Sequence, residues 1–215
     1  MYMSLFTPRR AAVAGSMLAG ALVLTACGSG SSSDDAGMPG NSGSTTSHGM
    51  GATGSHNNAD VTFSTQMIPH HGQAVEMATM ALTQASNGQV RDLATAIKGG
   101  QDPEMTMMSG WMTGWGQQVP SGSSMSDMDG MGADASANGM MSDAEMQRLG
   151  QARGATFDRL WVQLMTRHHQ GAVRMCCSEV TDGQSSEAKA LAQQIITTQT
   201  REIATLTALA KTLPA

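Results

Sequence analysis

From Asp60 to Met77 apolar side chains return every third or fourth residue: Phe63, Met67, Ala74 and Met77, with His70 or His71 in step. That is the period of a helix with one buried stripe, and Asp60 is the expected N-cap. Asn87 and Gly88 then read as a turn. A second stripe follows through Leu93, Ile97, Met105, Met108 and Trp111 or Met112, but Gly99, Gly100 and Pro103 interrupt it, so a kink or restart is expected near Asp102. Further along, Ser142 and Glu145 have the spacing of a capping box. An apolar pattern through Leu149, Phe157, Leu160, Trp161 and Leu164 runs to Val180, and Asp182 and Gly183 turn the chain into a last stripe of Leu191, Ile195, Ile203, Leu206 and Leu209. No segment alternates as a strand does. The pattern predicts an all-α protein made of two helical hairpins.

The hairpins are copies of one unit. At an offset of 98 residues, without a gap, Asp60 falls on Asp158, Phe63 on Trp161, Met67 on Met165, His70 and His71 on His168 and His169, and Met77 on Met175. The register continues with Leu93 on Leu191, Ile97 on Ile195, Gln101 on Gln199 and Glu104 on Glu202. Repetition of this length marks a duplicated unit. Two hairpins with one buried stripe per helix close most simply into a four-helix bundle.

The flanking sequence sets the domain boundaries. Arg9 and Arg10 precede an apolar run from Ala11 to Leu24 that is too short to span a membrane and ends in Leu24, Thr25, Ala26, Cys27. Residues 1–26 therefore read as a signal peptide. Cys27 resembles the acylated cysteine of a bacterial lipobox, which places the mature chain in the cell envelope, lipid-anchored on the extracytoplasmic side of a membrane. Residues 27–59 form a polar tether, 60–119 the first hairpin, 120–141 a linker rich in Met, and 142–215 the second hairpin. Tether and linker carry too little apolar surface to offset the entropy of ordering.

Charge narrows the partners. Without residues 1–26 the 12 basic side chains fall to 10 against 17 acidic ones, a formal charge of −7. Nucleic-acid binding needs a concentrated basic surface, so it is excluded. Cys176 and Cys177 are adjacent, which disfavours a bridge between them, and they read as no disulfide framework.

The chemistry lies in the repeated His-His motif. On a helix, Met67, His70, Ala74 and Met77 share a face, as do Met165, His168, Ala172 and Met175. Imidazole suits several transition metals, and thioether sulfur selects soft ions, above all Cu(I). The candidate metal ligands are accordingly His70, His71, His168 and His169 with Met67, Met77, Met165 and Met175. The competing reading is ordinary: Met fills core gaps, and buried histidines are often only hydrogen-bonded. Four imidazoles in equivalent places of duplicated helices are harder to explain that way, because burial without a partner is costly. Pro69 frees the carbonyl of Thr65 beside His70. Glu104 and Glu202 are read either as carboxylates that orient imidazoles or as exposed helix charges. Met125, Met128, Met131, Met140 and Met141 in the linker, and Met38, His48, Met50 and His56 in the tether, have no core to fill. They resemble the copper-capturing segments of bacterial copper-handling proteins; compositional drift is the alternative.

The run Met67, Ile68, Pro69, His70, His71 with Ala74, Val75, Glu76, Met77 and Ala78, and the later Gln101, Glu104, Met105, Met108 and Trp111, resemble the bacterial family catalogued as domain of unknown function 305. The resemblance implies a ferritin-like four-helix bundle, and some members of that family are periplasmic copper-binding proteins. The second copy departs from the motif, with Thr166, Arg167 and Arg174 in place of Ile, Pro and Glu, so its site is expected to be weaker or different. Di-iron chemistry is rejected, since the residues three before each histidine are Met67, Ile68, Met165 and Thr166 rather than Glu.

The reading is of an envelope lipoprotein that binds copper, as Cu(I) with Cu(II) also open, and buffers, tolerates or delivers it without catalysing a reaction. A metal-free helical interaction module is the alternative, and a copper-dependent oxidase a less favoured one. The sequence names no protein partner.

Overall fold

The computed structural model describes residues 54–120 and 137–214. Residues 1–26, expected to be a signal peptide, and Cys27, Met38, His48, Met50 and the linker methionines Met125, Met128 and Met131 lie outside the described residues. Among the described residues there are five helices and no strand. They are α1 (Asn58–Gln84), α2 (Gly88–Gly114), α3 (Asp143–Gln151), α4 (Gly154–Asp182) and α5 (Ser186–Thr212). No described helix is long and apolar enough to cross a membrane.

α1 pairs with α2 and α4 with α5 as hairpins, and the hairpins join chiefly through α1 on α4. α2 and α5 touch sparingly. The central pair is antiparallel: Asn57 at the start of α1 donates to the carbonyl of Asp182 at the end of α4, and Asp158 near the start of α4 accepts from Ser86 just past α1. The long helices thus form a four-helix bundle, with short α3 beside its core.

Two details differ from the pattern-based expectation. Asn57, not Asp60, is the N-cap of α1; Asp60 sits at the third helical position, where its carboxylate accepts the Asn57 N–H and closes a capping box. α2 does not restart at Asp102 but runs as one helix through Pro103. Helix-breaking residues on the exposed side of a helix packed along its length are overridden by that packing. The Ser142 and Glu145 capping box is formed as expected.

The stripe of α2 has a different phase from the one read by eye. Its buried positions are Val90, Ala94, Ile97, Gln101, Glu104, Met108, Trp111 and Met112, so two polar residues occupy the middle and Met105 is only partly buried. α5 repeats this with Leu191, Ile195, Gln199 and Leu206 buried and Glu202 partly so. The core is divided accordingly. One apolar cluster holds Met77, Ile97, Phe157, Trp161, Met165 and Leu206; the other holds Phe63, Met67, Met108, Met175, Cys176 and Ile195.

Candidate metal centre

The paired histidines carry the polar part of this core, and all four imidazoles are fully buried. Successive residues on a helix point about 100° apart, so each His-His pair is divided between two neighbours. His70 of α1 and His168 of α4 face each other across the central interface, ring centroids 3.7 Å apart and planes tilted by 34°. His71 turns toward α2, where its Nε2 lies 2.7 Å from Oε2 of Glu104, and His169 turns toward α5, where its Nε2 lies 2.8 Å from Oε2 of Glu202. Of the two readings of these glutamates, orientation of imidazoles is the one the geometry supports.

Hydrogen-bond chemistry fixes which nitrogen is left over. A carboxylate or carbonyl oxygen only accepts, so Nε2 carries the proton in His71 and His169, and also in His70, whose Nε2 is 3.1 Å from the carbonyl of Asn138. The Nδ1 atoms of these three residues are buried without a hydrogen-bond partner, and so are both ring nitrogens of His168. Burial, then the neighbouring His71, pushes the His70 imidazole down to about 3, against the opposing Asn138 hydrogen bond. Burial, then His70, holds His168 well below the usual histidine range. Both are neutral at ordinary pH, the state in which a ring nitrogen donates its lone pair to a metal. Each unmatched buried polar atom costs about 1–3 kcal/mol. Gln101 and Gln199 add further unmatched amide atoms within the same stripes.

The four predicted methionines are all buried, but they do not form one stripe beside the rings. The antiparallel crossing puts Met67 with Met175 in one apolar cluster and Met77 with Met165 in the other, so thioethers occur in the core on both sides of the polar residues. Among the described residues no three of His, Cys, Asp and Glu converge in a group able to hold a metal. The soft donors in the surrounding core are thioethers, and thioether sulfur favours soft ions.

Other candidates are placed elsewhere. Met140 and Met141, expected to be solvent-facing linker thioethers, are 7% and 1% exposed, and Met141 joins the core cluster of Met77 and Met165. The packing explanation that their linker position seemed to exclude applies to both. His56 stacks on Trp115 at the end of α2, centroids 4.7 Å apart. Cys176 is buried beside Met67 and Met175, and burial, then Glu104, raises its thiol well above the ordinary value, so it is an inert thiol. Cys176 is a free thiol and Cys177 is disulfide-bonded, so the two adjacent cysteines do not bridge each other, as expected.

The sequence reading missed the segment 137–142. It lies over the α1–α4 groove and supplies the Asn138 carbonyl to His70. Its signal was present in the departures of the second copy: Arg174 for Glu76, taken above to mean a weaker or different site, and Gly171 for Gln73, which drew no reading.

The family model for domain of unknown function 305 (DUF305) matches residues 60–210. The chain belongs to the DUF305 family. It is similar to a putative secreted DUF305 protein from Streptomyces coelicolor, at 35% identity over 69% of this chain and 89% of that one, with a TM-score of 0.60. A DUF305 fragment from Deinococcus radiodurans aligns at 32% identity over 73% of this chain and 98% of that one, TM-score 0.64. CopM in its Cu(II)-bound form aligns at 30% identity over 71% of this chain and 96% of that one, TM-score 0.60. No curated protein matches the chain. The DUF305 neighbours share the all-helical architecture found here, as the sequence resemblance implied.

Proposed function

We propose that this DUF305 protein binds copper in its bundle through His70 and His168, with His71, His169 and the core thioethers Met67, Met77, Met165 and Met175 as the remaining donors, and that it buffers or delivers the ion. The observation that carries the reading is the facing pair of neutral imidazoles at 3.7 Å, buried with lone pairs that no protein group engages. Glu104 and Glu202 support it by holding Nε2–H of the outer histidines, which leaves each Nδ1 buried without a hydrogen bond. CopM, a structural neighbour, is known in Cu(II)-bound and Cu(I)-bound forms, which makes copper the first ion to try.

The test is an anaerobic Cu(I) competition titration against a chromogenic chelator, on protein lacking residues 1–26 and on the same chain with the four paired histidines changed to Ala. Binding that is lost while the helical circular dichroism persists supports the bundle site. Unchanged binding moves the site to the Met-rich linker. No binding by either protein sinks the copper reading and leaves the metal-free interaction module.

We also propose that Cys27 is acylated after cleavage and holds the domain at the outer face of an envelope membrane. Cys27, Cys176 and Cys177 are the chain's three cysteines. Intact mass of the exported protein decides: a diacylglycerol adduct supports the anchor, and an unmodified or disulfide-bonded Cys27 removes it.

A further inference from the structure

All four imidazoles are fully buried, so an ion reaches them only when something moves. The four long helices are joined by apolar side chains along their length. The segment 137–142 is anchored at its far end by buried Met140 and Met141, and side chains also grip its backbone. Gln73 of α1 donates to the Met141 carbonyl at 2.9 Å and accepts from the Met141 N–H at 2.7 Å. Arg174 of α4 donates to the Ala137 carbonyl at 2.6 Å, and Arg167 to Sδ of Met141 at 3.0 Å and to Glu145 at 2.6 Å. A short stretch held by a few such bonds opens at lower free energy than helices packed along their whole length do.

The grip is built from the differences between the two copies. At the offset of 98, Gly171 stands where the first copy has Gln73, Arg174 where it has Glu76, and Arg167 where it has Pro69. A Cβ at Gly171 would lie 1.4 Å from the Asn138 carbonyl oxygen, so only glycine lets the segment descend far enough to cap His70. Gly139, at φ +81°, makes the bend that passes the Arg167 backbone, where a Cβ would meet the Arg167 carbonyl oxygen at 2.4 Å. Beside this crossing an open cavity of about 530 Å³ runs along the groove between α1 and α4, lined by Phe63, Gln66, Asn138, Arg174, Met175 and Glu179. It brings solvent to Asn138 and places the Met175 thioether on the approach.

We propose that residues 137–142 are the gate of the histidine pair, and that the α1–α4 groove ending at Asn138 is the route by which the cargo ion enters and leaves. Lifting Asn138 uncovers Nε2 of His70 without separating any two of the long helices. The departures of the second copy from the motif are thereby explained as the gate's fittings. The cargo in this inference rests on the copper reading above; the gate does not.

Gly171→Ala tests it, because the added methyl displaces Asn138. Reaction of His70 and His168 with diethyl pyrocarbonate, followed by peptide mass spectrometry with partly exposed His56 as reference, reads access without any metal. Stopped-flow Cu(I) uptake from a chelator reads passage. Both rates are expected to rise about tenfold in Gly171→Ala, and by a similar factor in Gln73→Ala, which removes two hydrogen bonds and serves if the first variant does not fold. Equilibrium affinity is expected to change less than threefold, a change of under about 1 kcal/mol. Faster modification in a protein that binds no copper supports the gate and removes the copper reading. Hydrogen exchange showing residues 137–142 released while the modification rate of His70 is unchanged overturns the gate, and faster modification with unchanged copper uptake overturns the route.

Discussion

At the residue scale the buried ionisable groups give opposite pH dependences. His70 and His168 have folded values below the ordinary histidine value, so the unfolded chain binds more protons. Their contribution to stability is complete above about pH 6.5 and is lost as pH falls below it, down to about 3 for His70, at about 1.4 kcal/mol per pH unit for each proton taken up. His168→Asn is expected to flatten the decline between pH 6.5 and 4.5, measured as urea midpoints. Glu179, 1% exposed, is pushed up to about 8 by burial and then by the Asp60 carboxyl. Its contribution is present below the usual carboxylate range and is lost as pH rises through 8. Wild type is expected to lose stability between pH 6.5 and 9 and Glu179→Gln to lose much less; equal slopes would remove Glu179 as the cause. The methionines permit a cleaner separation of roles. Met to Leu nearly conserves core volume and costs under about 1.5 kcal/mol, whereas it deletes the soft donor. Met67→Leu and Met165→Leu are expected to keep the urea midpoint close to wild type and to weaken Cu(I) binding at least about tenfold. Unchanged affinity would return both to ordinary core filling.

At the element scale each hairpin fastens the turn of the other. Buried Asp60 accepts N–H groups of Gln184 at 3.1 Å and Ser185 at 2.9 Å, and buried Asp158, its counterpart in the repeat, accepts those of Ser86 at 3.1 Å and Asn87 at 3.0 Å. The duplicated carboxylate thus closes the α4–α5 turn from α1 and the α1–α2 turn from α4. Asp158→Ala strands two backbone donors and the Ser86 hydroxyl, for an expected loss of about 2–3 kcal/mol in urea denaturation. Asp60→Ala is expected to cost a similar amount. The two carboxylates sit near opposite ends of the antiparallel pair, so the double variant is expected to lose close to the sum. A strongly non-additive loss would show that the turns fold as one unit. The helices were legible from their apolar period, and the Asn57 cap was not, because Asp60 three residues on offered an equally good capping side chain. The continuity of α2 through Pro103 was equally hidden, since it depends on packing against α1.

At the scale of the whole molecule the duplication is a device for building one core from two half-cores. Each apolar cluster takes residues from both hairpins: Met77 and Ile97 with Trp161 and Leu206, and Met67 and Met108 with Met175 and Ile195. Neither hairpin can bury its central face alone. A 54–120 fragment is expected to be mostly unfolded by circular dichroism, and mixing it with a 137–215 fragment is expected to restore helicity. A fragment that is fully helical and monomeric alone would contradict this account.

The sequence by itself determined the all-α class, the two hairpins and the repetition of the His70, His71 pair as His168, His169, because helical period and repetition are local properties. The tertiary structure decided how those residues are used. Which histidine of each pair faces its counterpart, and which a glutamate, follows from the crossing of α1 and α4. The separation of Met67 from Met77 into different clusters has the same cause. The role of Gly171, Gln73 and Arg174 depends on where residues 137–142 lie, and no periodicity records the path of a segment across a groove.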